Sequence, residues 1–169
     1  DAPPLCATMR WDMDAMICGH ALGAGAQDFT GQDMAALDPD TATLTLKDGR
    51  SLRYGVLIGT DGVNSQVARH LFGQSFERAR IGFGLEIEAT DPHLTPDAPI
   101  RIDLAAAHWG YGWTFPKRHS TTIGVGGLLS KNPEMKRGMA AYCDLLGIDA
   151  PEARIKGQFL PFGHFRRSP

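Results

Sequence analysis

The sequence predicts an α+β fold in two parts: a parallel α/β half-domain over residues 1–76, then an antiparallel sheet with one helix over residues 77–169. Three observations predict it. Val56-Leu57-Ile58 is a short unbroken apolar run, the mark of a strand buried on both faces, and it enters a Gly59-Thr60-Asp61-Gly62 turn before a helix. From about Arg80 apolar residues alternate with charged ones, as in half-exposed antiparallel strands. Late in the chain a helical stripe stands between Pro133, a start, and Gly147, a stop. The pattern changes between residues 74 and 80, which places the boundary at 76/77.

The first element is a helix from Asp12 to Leu22, with Asp12 as its N-cap, Met13, Met16, Ile17 and His20 on one side, and Gly23 and Gly25 ending it. Asp48-Gly49 between Thr41–Leu46 and Ser51–Tyr54 predicts a tight β-hairpin. After the buried strand at 56–58, Asn64 or Ser65 caps a helix that runs through Leu71 and stops at Gly73. Leu85, Ile87 and Ala89 form the inner face of one strand, with Glu86 and Glu88 on a solvated face; Ile100, Ile102 and Leu104 alternate likewise with Arg101 and Asp103. Two further strands are expected at Tyr111–Pro116 and Thr121–Gly126. The last helix spans Pro133–Leu146 with Asn132 as cap and an inner stripe of Met135, Met139, Tyr142, Cys143 and Leu146.

At 169 residues, 43% hydrophobic and 21% charged, the chain can bury a sizeable core, and its net charge of -2 gives no drive toward nucleic acid. Cys6, Cys18 and Cys143 are odd in number and scattered, which favours reduced thiols and a cytoplasmic setting. His20, His70, His93, His108, His119 and His164 show no ligand spacing, so no metal is expected. No apolar run nears the ~20 residues of a membrane span. The chain opens at Asp1 and closes at Arg166-Arg167-Ser168-Pro169, and both ends are expected to continue into a longer protein.

Two segments carry candidate chemistry. In the first, Gly59 and Gly62 permit close backbone approach or positive φ, and Asp61 either accepts hydrogen bonds from a polar ligand or caps its own turn. In the second, Tyr111, Trp113 and Phe115 share one strand face and make an aromatic wall about 14 Å long, serving either as a ligand surface or as core. The adjoining Lys117-Arg118-His119 run either meets an anionic head group or is a solvated hairpin tip.

The first segment, through Gly59, Asp61, Gly62, Ser65 and Arg69, resembles the DG motif of the para-hydroxybenzoate-hydroxylase-like flavoproteins, which lies beside the FAD pyrophosphate and is linked to NAD(P)H use. Arg10-Trp11-Asp12-Met13-Asp14 is similar to a second segment of that superfamily, whose Arg lies close to the flavin. Tyr111, Trp113, Phe115, Pro116, Lys117 and Gly124 resemble the motif that lines the lipid pocket of geranylgeranyl reductases, with His108 standing where that family often has Pro. The resemblance covers about Arg10 to Phe162.

It implies a partial FAD-binding domain followed by a substrate-binding domain, with FAD and NAD(P)H as cofactors. Arg10, Gly59, Asp61, Gly62, Ser65 and Arg69 would lie at the cofactor; Tyr111, Trp113, Phe115, Pro116 and Lys117 would bind substrate. The implied activity of the whole protein is NAD(P)H-driven reduction of isoprenoid double bonds, with a hydrophobic isoprenoid-type substrate and peripheral membrane contact. A flavin monooxygenase or halogenase of the same fold, or a non-catalytic lipid-binding module, are the alternatives. No residue stands out as catalytic. The Gly-x-Gly-x-x-Gly fingerprint for the ADP half of FAD is absent, because Gly23-Ala24-Gly25-Ala26-Gln27 follows a helix and lacks the third glycine. The chain alone is therefore expected to be inactive, and its unpaired Val56–Ile58 edge to drive self-association.

Overall fold

The computed structural model describes residues 8–90, 96–148 and 154–161; Cys6, His93 and His164 lie outside them. By compactness the chain divides into two units, 1–56 and 57–169, upstream of the change in sequence pattern at 76/77.

In the first unit, helix α1 spans Arg10–Gly23. Met9 occupies the cap position without a side-chain bond, and Asp12 sits in the first turn, where its charge complements the helix N-terminus. The expected cap at Asp12 is displaced because Arg10 pairs with Asp14 one turn on, at 2.8 Å, and extends the helix backward. Gly25, with φ of +97°, turns the chain away after the last helical residue. No residue of α1 is buried, so the stripe of Met13, Met16, Ile17 and His20 has no cover among the described residues.

Strands β1 (Met34–Asp38), β2 (Thr43–Leu46) and β3 (Ser51–Arg53) follow as an antiparallel meander. The β2–β3 hairpin is the predicted one, with Gly49 at φ of +90°. β1 is additional; its Met-Ala-Ala-Leu-Asp sequence has no alternation to betray it, and only Leu37 is buried.

All strand pairing among the described residues is antiparallel, so the expected parallel half-domain is not formed. Val56-Leu57-Ile58 is not a strand, and Val56 and Ile58 are 80% and 75% exposed. A strand buried on both faces needs a hydrogen-bonded neighbour on each side and a layer above and below. None of the described strands pairs with it.

The second unit begins with the Gly59–Gly62 turn and helix α2 (Gln66–Phe72), capped by Ser65 and closed at Gly73 in the left-handed conformation. A five-stranded antiparallel sheet then follows in the order β5-β6-β7-β4-β8, formed by β4 (Gly82–Ala89), β5 (Arg101–Leu104), β6 (Gly110–Pro116), β7 (Thr121–Leu128) and β8 (Lys156–Leu160). β8 has no clear alternation; it is held by pairing to β4 and by Phe159, whose ring lies 4.9 Å from Phe76 and 5.2 Å from Phe83.

Helix α3 (Met135–Leu146) packs on one face of this sheet. Met135, Met139 and Tyr142 meet Leu85, Ile87, Ile123 and Val125 there, with Cys143 and Leu146 at the margin, as the stripe predicts. Gly147, left-handed, ends the helix. Asn132 is not its cap: its side chain accepts from His108 N at 2.9 Å and donates to the carbonyls of His108 and Leu128, each at 2.8 Å. That grip fixes the loop before β6. β5 also differs from expectation, because Ile100, Ile102 and Leu104 face outward while Asp103 turns toward α3 and accepts from Tyr142 Oη at 2.5 Å. Alternation separates the two faces of a strand; it does not say which one a polar partner on a neighbouring helix will draw inward.

Candidate functional site

Directly paired residues of neighbouring antiparallel strands share a sheet face. Trp113 lies between Ile102 of β5 and Gly124 of β7; Tyr111 lies between Leu104 and Gly126; Phe115 pairs with Thr122. The three rings therefore stand on the face away from α3, outside the helix-covered core. Tyr111 and Trp113 are tilted at 5.7 Å between centroids, and Trp113 and Phe115 are stacked at 6.2 Å. Tyr111 and Phe115 remain 46% and 36% exposed.

Glycines make this arrangement possible. A β-carbon on Gly124 would overlap the Trp113 indole, one on Gly126 would come 3.2 Å from its ring, and one on Gly84 3.5 Å. The indole thus lies on a bed of bare backbone from β7 and β4. Ile102, Leu104 and, beyond β4, Leu160 are exposed on the same face and widen the apolar surface.

At the Phe115 end this surface meets a polar cluster. Glu88 of β4, paired with Thr122, accepts from Lys117 Nζ at 2.6 Å, Ser120 Oγ at 2.8 Å and Thr122 Oγ1 at 2.9 Å. Burial raises the Glu88 carboxyl, but these three bonds and the lysine charge outweigh it and hold the group below its ordinary range. Glu88, expected on a solvated face, is instead partly buried and fully bonded. Its lysine is 29 positions away, so no local pattern announces the pair. Ile102 and Leu104 are legible in the sequence as one face of a half-exposed strand, and the register places that face beside the rings.

The second candidate is the turn before α2. Asp61 Oδ1 accepts from Ser65 Oγ at 2.5 Å, while Oδ2 accepts from the amides of Gln66 at 2.6 Å and Val67 at 3.3 Å. Ser65 Oγ in turn accepts from Ala68 N at 2.8 Å. Partial burial raises the Asp61 carboxyl, and the hydrogen bonds overcome it, leaving the group lowered. Gly59 passes so close to Val67 that a β-carbon would lie 3.0 Å away, and Gly62 has φ of +76°. Arg69 donates to the Asn64 carbonyl at 2.5 Å.

Gly59, Asp61, Gly62, Ser65 and Arg69 are thus brought together in one turn and helix, whereas Arg10 lies in the other compact unit, paired with Asp14. Both oxygens of Asp61 and the first amides of α2 are occupied from within. These residues build a rigid turn but, among those described, no phosphate cradle for FAD.

No protein-family profile matches the sequence, and no curated protein does. Solved structures do match. A geranylgeranyl bacteriochlorophyll reductase-like protein from Thermoplasma acidophilum is similar with a TM-score of 0.67 at 18% identity, over 89% of this chain and 41% of that one. A flavin-dependent halogenase from Xanthomonas campestris has a TM-score of 0.56 at 17% identity, over 88% and 30%. PqsL from P. aeruginosa, in complex with 2-aminobenzoylacetate, has a TM-score of 0.55 at 18% identity, over 86% and 45%. The chain spans less than half the length of these proteins, and it shares the mixed α/β fold of part of each.

Proposed function

We propose that this chain is the substrate-holding sheet, with an adjoining turn and helix, of an FAD-dependent oxidoreductase that reduces isoprenoid double bonds with NAD(P)H. One observation carries the reading: Tyr111, Trp113 and Phe115 form a row on the face opposite the core, with Tyr111 and Phe115 exposed and Trp113 half-buried on Gly124, Gly126 and Gly84. Core aromatics would point toward α3. A row of rings flanked by Ile102 and Leu104 binds a long apolar chain by burial alone and lays it out along β6. Pro116 ends β6 but falls on the α3 side of the sheet, so of that expected pair only Lys117 stands at the end of the row. The turn at Gly59–Gly62 would lie at the cofactor, with Asp61 and Ser65 fixing its shape and the phosphates held by residues outside those described.

In Trp113→Ala, binding of geranylgeraniol to the chain, measured by calorimetry, is expected to weaken by roughly 1 to 3 kcal/mol, the scale of one large apolar side chain. Unfolding stability should change less. Loss of stability of roughly 3 to 5 kcal/mol, with no selective loss of binding, would show that the ring serves the core instead.

A second reading is an oxygen-using flavin enzyme. The same row of rings suits stacking of a planar aromatic substrate, and the chain shares its fold with a flavin-dependent halogenase. Anaerobic reduction of the whole protein followed by a prenyl lipid separates them. A product heavier by two hydrogens per reduced bond supports the reductase; reoxidation that requires both air and substrate supports the oxygen-using enzyme. Weak or absent FAD binding by the whole protein would leave a lipid-binding module.

A further inference from the structure

Among the described residues, Lys117 is the cation bonded at the Phe115 end of the aromatic face, and it is already spoken for; Lys156 shares that face only at β8, beside Glu86. Phe115, Thr122 and Glu88 stand side by side across β6, β7 and β4 on that face, and the Lys117 ammonium is drawn onto the carboxylate beside them at 2.6 Å. Ser120 and Thr122 satisfy what remains of the carboxylate, so the cluster is closed and neutral at the end of the wall. Arg118 and His119, at the turn itself, are exposed. An anionic head group arriving at the Phe115 end would have to displace Glu88 to reach the ammonium, and would meet a carboxylate of its own sign.

We propose that Glu88 determines head-group specificity: by neutralising Lys117 it makes the wall accept the uncharged portion of a prenyl lipid and gain nothing from a diphosphate. The inference rests on the apolar-substrate reading of the same face. It turns on a residue whose removal should strengthen binding of one ligand, an outcome no merely structural role gives.

The test is a pair of binding isotherms on the chain, one with geranylgeraniol and one with geranylgeranyl diphosphate, each below its aggregation concentration. The unmodified chain should bind the alcohol at least as tightly as the diphosphate. Glu88→Gln should raise diphosphate affinity roughly threefold to tenfold, the scale of one partly exposed charge pair, leave the alcohol unchanged within about twofold, and lose the gain in high salt. Adding Lys117→Met to that variant should abolish the gain. Equal weakening of both ligands in Glu88→Gln, or no change in their ratio, overturns the proposal. If Glu88→Gln does not fold, Glu88→Ala is read by the same criteria: a selective gain in diphosphate affinity supports the proposal, and an unchanged ratio of the two affinities overturns it. If the unmodified chain binds neither ligand, the apolar-substrate reading itself fails and takes this inference with it; binding of both with an unchanged ratio leaves that reading standing.

Discussion

A β-carbon on Gly124 would collide with the Trp113 indole and stand 2.7 Å from the Leu85 carbonyl, whereas one on Gly138 of α3 meets nothing within 4 Å. The two glycines therefore predict opposite signs. Gly124→Ala should cost about 1 to 3 kcal/mol as an overpacked site and move Trp113, seen as a change in its fluorescence when Trp11 and Trp109 are replaced by Phe. Gly138→Ala should stabilise by about 0.5 to 1 kcal/mol, because alanine loses less backbone entropy in a helix. Urea unfolding of both variants checks the pair; a stabilised Gly124→Ala would mean the ring does not rest there. Gly124 was legible as part of a motif, but its purpose was not. Only the register that sets it beside Trp113 shows that the missing side chain is what the indole occupies.

At the scale of elements, α2 shows how much a seven-residue helix depends on its cap. Ser65→Ala should destabilise it by about 1 kcal/mol, read as faster hydrogen exchange at Ala68. Asp61 adds a pH dependence. Its folded pKa is lowered, so its contribution is present above the unfolded value of about 3.9 and is lost as pH falls through the folded one. The Gln66 and Val67 amides should thus exchange more slowly in the unmodified chain than in Asp61→Asn at neutral pH, and the difference should vanish in strong acid. A difference that persists there would remove the carboxylate from the account. The cap at Ser65 could be read from sequence because capping is local. Asn132 looks equally like a cap in the sequence, yet its side chain bonds to the backbone of His108, 24 positions away, a partner that only folding brings within reach.

For the whole molecule, two features lead to predictions about assembly. The α2 amides are capped from within and the dinucleotide fingerprint is absent, so the chain mixed with FAD and passed through gel filtration should emerge colourless. A stoichiometric yellow complex would contradict this. The exposed Val56 and Ile58 are expected to draw chains together as concentration rises. Light scattering should show this association and its loss in Val56→Lys combined with Ile58→Lys; a strict monomer over a wide concentration range would exclude it. Among the described residues no helix is long and apolar enough to cross a membrane.

The sequence by itself determined what depends on neighbours along the chain: the β2–β3 hairpin at Gly49, the Ser65 cap, the Gly73 and Gly147 stops, the inner stripe of α3, and the shared face of Tyr111, Trp113 and Phe115. These follow from turn geometry, capping and the two periodicities, which act over a few residues. The tertiary structure decided which faces turn inward and which distant groups meet. Tyr142 drew Asp103 in and turned Ile102 and Leu104 out; Lys117 found Glu88; and Val56–Ile58, apolar enough for a buried strand, stayed unpaired because a strand exists only where another lies beside it.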